Sequence, residues 1–302
     1  MLWFKNLMIY RLTKNLDWSE EALQENLEKE SFTPCSQGEM THFGWTNPLK
    51  DSELFYFQSG KNILLKAQKE DKILPAAVIK QELDARIAEL EKKEGRKLRK
   101  LEKQSLKEDV IATLLPRAFS KNQTTTLWVD TENQLIYVNS ASSKRAEDAL
   151  ALLRKSLGSL PVVPLTFAND MSEVMRHWII NNDAPQWATI LEDAEIKGGS
   201  DEAVIRCKKQ DLGADEIIAF LQSGKTISKL ALDWDEHVSF VLKDDATMAR
   251  LKFADELRDK NADIDKEDIA QRLDADFILM TGTLSQLTDH LLNAFGGEKE
   301  RL

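Results

Sequence analysis

Residues 76–116 decide how this chain is organised, because they are typical of a helical pair placed between segments with strand character. They read AAVIKQELDARIAELEKKEGRKLRKLEKQSLKEDVIATLLP. In the first half, apolar side chains recur at spacings of four, four and three residues, which predicts one face of a helix that begins near Ala76. These side chains are Ile79, Leu83, Ile87 and Leu90.

A second helix is predicted from about residue 105. Ser105 and Glu108 have the spacing of a capping box, in which the serine accepts from an N–H at the helix start and the glutamate reaches back. Pro116 stops this helix, because proline clashes with the preceding turn and has no N–H to donate. Gly95 lies between the two helices and disfavours continuation of the first one. We therefore predict a helical insertion over about 76–116.

The flanks of this insertion are predicted to be rich in β-strands. Before it we expect a strand over 7–12, a helix after Ser19 and a hairpin over 55–70; after it, a hairpin over 125–139 and a helix over 144–157. The second half predicts strands over 203–209, 226–234, 237–243, 248–253 and 275–282, with helices over 215–222 and 284–295. The predicted fold is α+β with two β-rich lobes, over 1–165 and 166–302.

Composition supports a soluble protein of roughly two domains, since the chain has 302 residues and is 42% hydrophobic. Cys35 and Cys207 are far apart, which argues against a disulfide framework and favours a reducing compartment. The apolar start of the chain is interrupted by Lys5 and Arg11 and lacks the features of a signal peptide. No apolar run is long enough to cross a bilayer. We expect a cytoplasmic protein without a membrane partner.

Positive charge is concentrated in residues 92–107, here called the basic block. The block holds eight basic and two acidic residues, a net charge of +6 in a chain of net charge −10, so the remainder carries −16. Like charges repel one another unless a negative group compensates them. The candidates are an acidic face of the same protein, an acidic partner or nucleic acid. Only two acids interleave, so we expect no neutralisation by ion pairs one helical turn apart. If the block stays helical, Arg96, Lys100, Lys103 and Lys107 share one face.

We predict that this surface contacts DNA phosphates, because a row of cations can release the counterions condensed on DNA. The predicted contacts are Lys92, Lys93, Arg96, Lys97, Arg99, Lys100, Lys103, Lys107, Arg117 and Lys121.

Two further features have more than one interpretation. Phe119 lies in the polar stretch PRAFSKNQ, where it either packs into its own core or anchors another subunit. A second basic patch with Arg206, Lys208, Lys209 and Gln210 ends a predicted strand. It serves as an ion-pair site, an interface or a phosphate contact, and the sequence does not choose among these.

No local motif predicts catalysis or a metal site. Residues 219–226 resemble a relaxed P-loop, but a helix precedes the loop and a strand follows it, which reverses the order that a P-loop needs. Residues 259–270 resemble a calcium loop, but Ile264 and Ala270 stand where glycine and glutamate are required. The four histidines and two cysteines have no zinc spacing. We therefore predict a protein that is not an enzyme and has no cofactor.

Several long blocks of the chain resemble the RdgC family of recombination-associated proteins over nearly its full length. The blocks are MLWFKNLMIYRL (1–12), FTPC (32–35), ILPAAVIKQEL (73–83), LLPRAFS (114–120), LALLRKSLGSLPVVPL (150–165), KKQDL (208–212), KLALDW (229–234), LKFADELRD (251–259) and DADFILMTG (274–282).

The resemblance implies a bacterial protein of the nucleoid that binds duplex DNA, with single strands not excluded, and has little sequence preference. It implies an arched α+β subunit, a ring-shaped homodimer around DNA, and restraint of the RecA recombinase. A closed two-fold ring needs two self-complementary interfaces. We expect Phe119 at one of them and Lys209 with Gln210 at the other. Two alternatives remain: a protein-interaction module whose basic helix docks on an acidic partner, and a nuclease or other DNA-processing enzyme with carboxylates in the acidic second half of the chain.

Overall fold

The computed structural model describes residues 2–50, 52–198, 203–265 and 267–300. The strands in these ranges are β1 Asn6–Leu12, β2 Thr41–Thr46, β3 Tyr56–Ser59, β4 Asn62–Ile73, β5 Phe119–Asp130, β6 Leu135–Val138, β7 Val162–Pro164, β8 Ala188–Lys197, β9 Val204–Cys207, β10 Thr226–Trp234, β11 Val238–Lys243 and β12 Met248–Phe253.

The α-helices in the same ranges are α1 Glu20–Glu28, α2 Ala76–Glu94, α3 Lys100–Leu114, α4 Ser143–Leu157, α5 Met171–Asn181, α6 Asp215–Gln222, α7 Asp255–Arg258 and α8 Ile269–Ala294. Two 3-10 turns, Leu115–Arg117 and Asp259–Asn261, follow α3 and α7.

The strands form one large open sheet in the order β2-β4-β5-β6-β1-β12-β11-β10-β8-β9, while β3 pairs with β4 and β7 with β1. The pairings between these strands are antiparallel. β1 joins the two halves of the chain, since Met8 lies opposite Val138 of β6 and Leu7 lies opposite Met248 of β12. The predicted α+β class is confirmed. The boundary between lobes near residue 165 stays a prediction, and strands from both sides of it belong to this sheet.

The core is divided between the two faces of the sheet, because successive side chains of a strand point to opposite faces. Ile63 and Leu65 of β4 belong to a cluster with buried side chains of α1 and α4. Leu64 belongs to a second cluster, which includes buried side chains of α5, α6 and α8. In that cluster Trp128 stacks on Tyr137 with ring centroids 3.8 Å apart. Helix α8 therefore packs against strands of both chain halves.

The predicted strand over 275–282 is wrong, because these residues lie inside α8. The side chain of Asp268 caps the helix by accepting from the Gln271 N–H at 2.9 Å. The buried apolar side chains then recur at three, four, three and four residues, which is the period of a helix. They are Phe277, Met280, Leu284, Leu287 and Leu291.

Candidate nucleic-acid interface

Helices α2 and α3 form a hairpin, here called the helical hairpin, at the end of the sheet's longest strand pair. β4 and β5 pair from Asn62 opposite Asp130 to Ile73 opposite Phe119, and the hairpin connects them there. No residue of α2 is buried, and Val110 is the buried residue of α3. With 19 residues, α2 is about 28 Å long. Most of the hairpin surface is therefore open to solvent, as an insertion between strands predicts.

The turn of the hairpin lies in the middle of the basic block. Gly95 ends α2 in the left-handed conformation at φ 70°, and its N–H donates to the Glu91 carbonyl at 3.0 Å. Helix α3 begins at Lys100, about five residues before the prediction. The carboxylate of Glu102 accepts from the Arg99 N–H at 2.6 Å and so takes the capping role. Ser105 lies inside the helix, and the capping box predicted there is wrong.

Two cations of the basic block are neutralised by carboxylates. Arg96 lies 2.7 Å from Glu94 and 2.5 Å from Glu102, and the Lys103 Nζ lies 3.6 Å from a carboxylate oxygen of Glu91. The hydrogen bonds from the Arg96 side chain and the Arg99 N–H lower the pKa of Glu102 to about 2. These pairs are not one helical turn apart, so they do not contradict the expectation from the sequence; they form because the turn brings acids from both helices to one place.

Six cations of the basic block are exposed and have no carboxylate within ion-pair distance among the residues the structure describes. They are Lys92, Lys93, Lys97, Arg99, Lys100 and Lys107. The expected row of four cations is only partly formed, because α2 ends before Arg96. Lys100, Lys103 and Lys107 do share a face of α3, at spacings of three and four. The unpaired charge is therefore concentrated at the tip of the helical hairpin.

The other two predicted DNA contacts lie at the base of the hairpin. Arg117 is exposed in the 3-10 turn after α3, and Lys121 is exposed on β5 directly opposite Asp71 of β4. The predicted set of ten cations is thus divided between the tip and the base. Contact of either group with DNA stays a prediction.

Phe119 does not pack into its own core. It is the first residue of β5, not part of a loop, and 84% of it is exposed. Its partner on β4, Ile73, is 48% exposed. The two side chains therefore present apolar surface at the base of the hairpin, and a role in dimerisation stays a prediction.

The pair Lys209 and Gln210 lies in the turn between β9 and α6. The Lys209 N–H donates to Asp193 at 3.2 Å and the Gln210 N–H donates to the Glu192 carbonyl at 3.1 Å, both on β8. Lys209 is exposed and has a left-handed backbone at φ 50°. The turn is thus held against β8, and its role as an interface stays a prediction.

A second cationic surface was missed by sequence reasoning. An open cavity of about 450 Å³ lies over β8 to β12, and Lys229, Lys243 and Arg250 line it together with Arg206 and Lys208. Only the last two were noticed, because they are neighbours in sequence. The alternation of polar and apolar residues along β10 and β11 could have revealed this surface. It places Lys229 and Lys243 on the face of the sheet opposite their apolar neighbours.

Within residues 2–50, 52–198, 203–265 and 267–300, no three His, Cys, Asp or Glu side chains are grouped so that they could hold a metal ion. In the same ranges no helix combines the length and the apolar character that a membrane span requires. The loop after α6 leads into β10, with Gly224 at φ 89°. The order of helix before strand at the P-loop-like stretch is therefore confirmed.

Comparison with known proteins identifies the family of this chain. A family described as "Putative exonuclease, RdgC" matches residues 2–298. The chain belongs to the RdgC family. Proteins named recombination-associated protein RdgC are 65% identical in Mannheimia succiniciproducens, 63% in Actinobacillus succinogenes and 61% in Haemophilus influenzae Rd, in each case over 302 residues and the whole of both chains. The resemblance seen in the sequence is confirmed. RdgC names thus refer both to an exonuclease and to recombination, and the names of these relatives specify no enzymatic activity.

Proposed function

We propose that this RdgC protein binds DNA without sequence preference, through the tip of the helical hairpin. The observation that carries the proposal is the set of six exposed cations without an ion-pair partner among the described residues. Each phosphate neutralised contributes about 0.9 to the slope of log affinity against log salt. Six contacts correspond to a slope of magnitude about 5.

Contacts of this kind position a protein on the backbone and do not distinguish bases. Residues 92–107 contain no aromatic side chain on which the bases of a single strand could stack. Duplex DNA is therefore the proposed ligand.

We further propose that two copies close into a ring around the duplex. The exposed apolar pair of Phe119 and Ile73 suits one interface, and the turn at Lys209 and Gln210 suits the other. A ring of two-fold symmetry uses the same surface patch of both subunits at each interface. Enclosure adds a topological hold, so that modest phosphate contacts suffice.

The names of the relatives support a role in recombination. We propose that the protein acts in the nucleoid and limits RecA by occupying the DNA on which RecA would assemble. RecA-dependent strand exchange measured with increasing amounts of the protein tests this step. Inhibition should disappear together with DNA binding in the hairpin variants described next. Full inhibition by a variant that does not bind DNA would show that occupation of DNA is not the cause.

Fluorescence anisotropy of labelled duplexes of unrelated sequence, titrated at several salt concentrations, tests the DNA-binding proposal. We expect equal affinity for all sequences. Replacing the six unpaired cations by glutamine, which is a good helix former, should lower the magnitude of the salt slope by about 5. Lys80→Gln is the matched control, because Lys80 is exposed on α2 about 18 Å from Lys92 along the helix axis. An unchanged slope in the six-residue variant would contradict the proposal.

A protein-interaction module is the second candidate. Leu101 favours it, because this apolar side chain is 84% exposed among the cations of the tip, and exposed apolar anchors suit protein partners. This candidate predicts no affinity of the purified protein for DNA, even at low salt.

The family description also raises exonuclease activity. Incubation of end-labelled DNA with Mg²⁺ tests it. We expect intact DNA, because we propose binding without cleavage. Progressive loss of the label that requires Mg²⁺ and follows the protein through purification would establish an enzyme.

A further inference from the structure

The cavity over β8 to β12, here called the sheet cavity, lies on the face of the sheet opposite the helices of the second half. Leu230 and Leu242 point into the cluster that contains buried side chains of α5, α6 and α8. Lys229 and Lys243 are their neighbours along β10 and β11, so they point to the other face. Both lysines line the sheet cavity. The strands that form the cavity therefore pack against the hydrophobic core on their other face.

The sheet cavity has an excess of positive charge. Five cations line it. Lys208 directly follows β9, and the other four come from β9, β10, β11 and β12 in turn: Arg206, Lys229, Lys243 and Arg250. The carboxylates in the lining are Asp193 and Glu195 of β8. Five cations against two carboxylates leave three positive charges without compensation in the lining.

Glu195 holds two of the cations. One of its carboxylate oxygens lies 2.9 Å from the Lys229 Nζ and 3.1 Å from the Arg206 Nε, and the other accepts from the Ser228 hydroxyl at 3.0 Å. Burial of the carboxyl disfavours its charged form, but the hydrogen bonds from Lys229, Arg206 and Ser228 outweigh burial and lower the pKa of Glu195 to about 2. Glu195 is therefore an internal counterion at neutral pH.

Two of the lining cations lie side by side in the free protein. Lys229 and Lys243 are directly opposite each other on the antiparallel pair of β10 and β11. Like charges in this relation destabilise a sheet. Arg250 is exposed and has a left-handed backbone at φ 58°, where the register between β11 and β12 shifts, and such bulges redirect a side chain. Glu195 compensates Lys229, whereas no carboxylate pairs with Lys243 among the described residues, so a bound anion would reduce the repulsion that is left.

We propose that the sheet cavity binds successive phosphates of a nucleic-acid backbone, and that these phosphates compete with Glu195 for its cations. The inference rests on the proposed DNA-binding function and gives it a second contact surface, separate in sequence from the helical hairpin.

The spread of the cations favours a polyanion over a single small anion. Four strand spacings separate β9 from β12 in the sheet order, which corresponds to roughly 19 Å. A duplex carries one charge per about 1.7 Å of its axis, so it presents on the order of ten charges over this distance. One phosphate ion reaches only a few of these cations.

The first test replaces the three cations that are not bonded to Glu195, as K208Q/K243Q/R250Q. Arg206 and Lys229 are kept, because their removal would leave the buried Glu195 carboxylate without a cation to balance its charge. In duplex titrations the magnitude of the salt slope should fall by about 2.7, which corresponds to three phosphate contacts. Lys260→Gln is the control, since Lys260 is exposed and does not line the cavity; its slope should not change.

The second test should strengthen DNA binding instead of weakening it. Glu195→Gln removes the internal counterion but keeps one oxygen that can accept hydrogen bonds from Lys229 and Arg206. It should strengthen duplex binding and raise the magnitude of the slope by about 0.9. Weaker binding in a variant that keeps its wild-type melting temperature would overturn the competition between Glu195 and phosphate.

The same titrations separate this inference from the proposed function. If the wild type binds and the hairpin variant loses affinity while K208Q/K243Q/R250Q matches the wild type, only the sheet cavity proposal fails. If the wild type binds no duplex at low salt, the proposed function fails and the inference fails with it. Calorimetry with inorganic phosphate separates the sources of the anion: saturable binding that K208Q/K243Q/R250Q abolishes, with no change in duplex binding, would identify a small-anion site and overturn the nucleic-acid assignment.

Discussion

Replacing residues 74–118 by Asn-Gly would remove the helical hairpin and leave the sheet in place. Ile73 and Phe119 are directly opposite each other at the ends of β4 and β5, so a two-residue turn of the type that Asn-Gly favours can connect them. The deleted segment has eleven basic and eight acidic residues, and its loss changes the net charge from −10 to −13.

The expected change in stability follows from what the hairpin buries. Its buried apolar side chains, Leu98, Val110 and Leu115, belong to neither of the two hydrophobic clusters. Each contributes about 1.5–3 kcal/mol, but this stabilises residues that are deleted with them. Shortening the connection from 45 residues to two lowers the cost of loop closure by at most about 2.7 kcal/mol. The free energy of unfolding should therefore stay the same or rise by up to that amount.

Urea denaturation followed by tryptophan fluorescence measures this change, and duplex titration measures the effect on binding. The magnitude of the salt slope should fall by about 5, because the deleted segment includes the six unpaired cations of the tip, and the sheet cavity should provide what remains. A loss of more than about 3 kcal/mol of stability, beyond any uncertainty in the loop term, would refute the view that the hairpin is independent of the core. Full duplex affinity in the deleted protein would refute its role in binding.

Three more predictions follow from single side chains. Phe277→Ala should reduce the free energy of unfolding by about 3–5 kcal/mol, because Phe277 is fully buried and packs edge-to-face on Phe57; a loss below 1 kcal/mol in urea denaturation, small for a core cavity, would contradict its burial. Glu195 has a folded-state pKa of about 2 against an ordinary value of 4.5, so it stabilises the fold above pH 4.5 and this contribution is lost as the pH falls through about 2. The loss of stability between pH 5 and pH 2 should be smaller in Glu195→Gln, and equal losses would exclude this carboxyl as a cause. Phe119→Asp should raise the dissociation constant of the proposed dimer, measured by sedimentation velocity over a range of protein concentrations, without lowering the melting temperature, whereas an unchanged dissociation constant would remove Phe119 from the interface.

Local patterns in the sequence predicted the elements whose signal is contained within a short window. The hairpin around Gly60, the helix closed by Gly158 and the stripe of α2 are all found where expected. Each depends on a turn residue or on a period that a few residues display. The α+β class follows from such elements without knowledge of their packing.

The predictions were wrong where the structure depends on a longer stretch of sequence or on contacts between distant residues. FILM within residues 275–282 has strand character by itself, and only the period over 26 residues shows that it belongs to α8. The sequence analysis also predicted no element over β2 or β8, whose apolar residues alternate poorly. It missed α5 as well, although Met171, Met175 and Trp178 recur there at helical spacing. The ion pairs of Arg96 depend on the turn at Gly95, which brings Glu94 and Glu102 together. Neighbours in space across strands, such as Lys229 and Lys243, cannot be recognised before the register is known.

The position of β1 between β6 and β12 has a consequence for the synthesis of the chain. β1 is made among the first residues, but its partner β12 lies more than 230 residues later, at Met248–Phe253. While the ribosome makes the intervening residues, Asn6 and Leu7 of β1 remain without their partners on β12, and the stacked Trp128 and Tyr137 lack the cover of α8. Pairings this distant in sequence slow folding, and exposed edges with apolar faces favour aggregation. The nascent chain is therefore most in need of chaperone protection just before its last helix emerges.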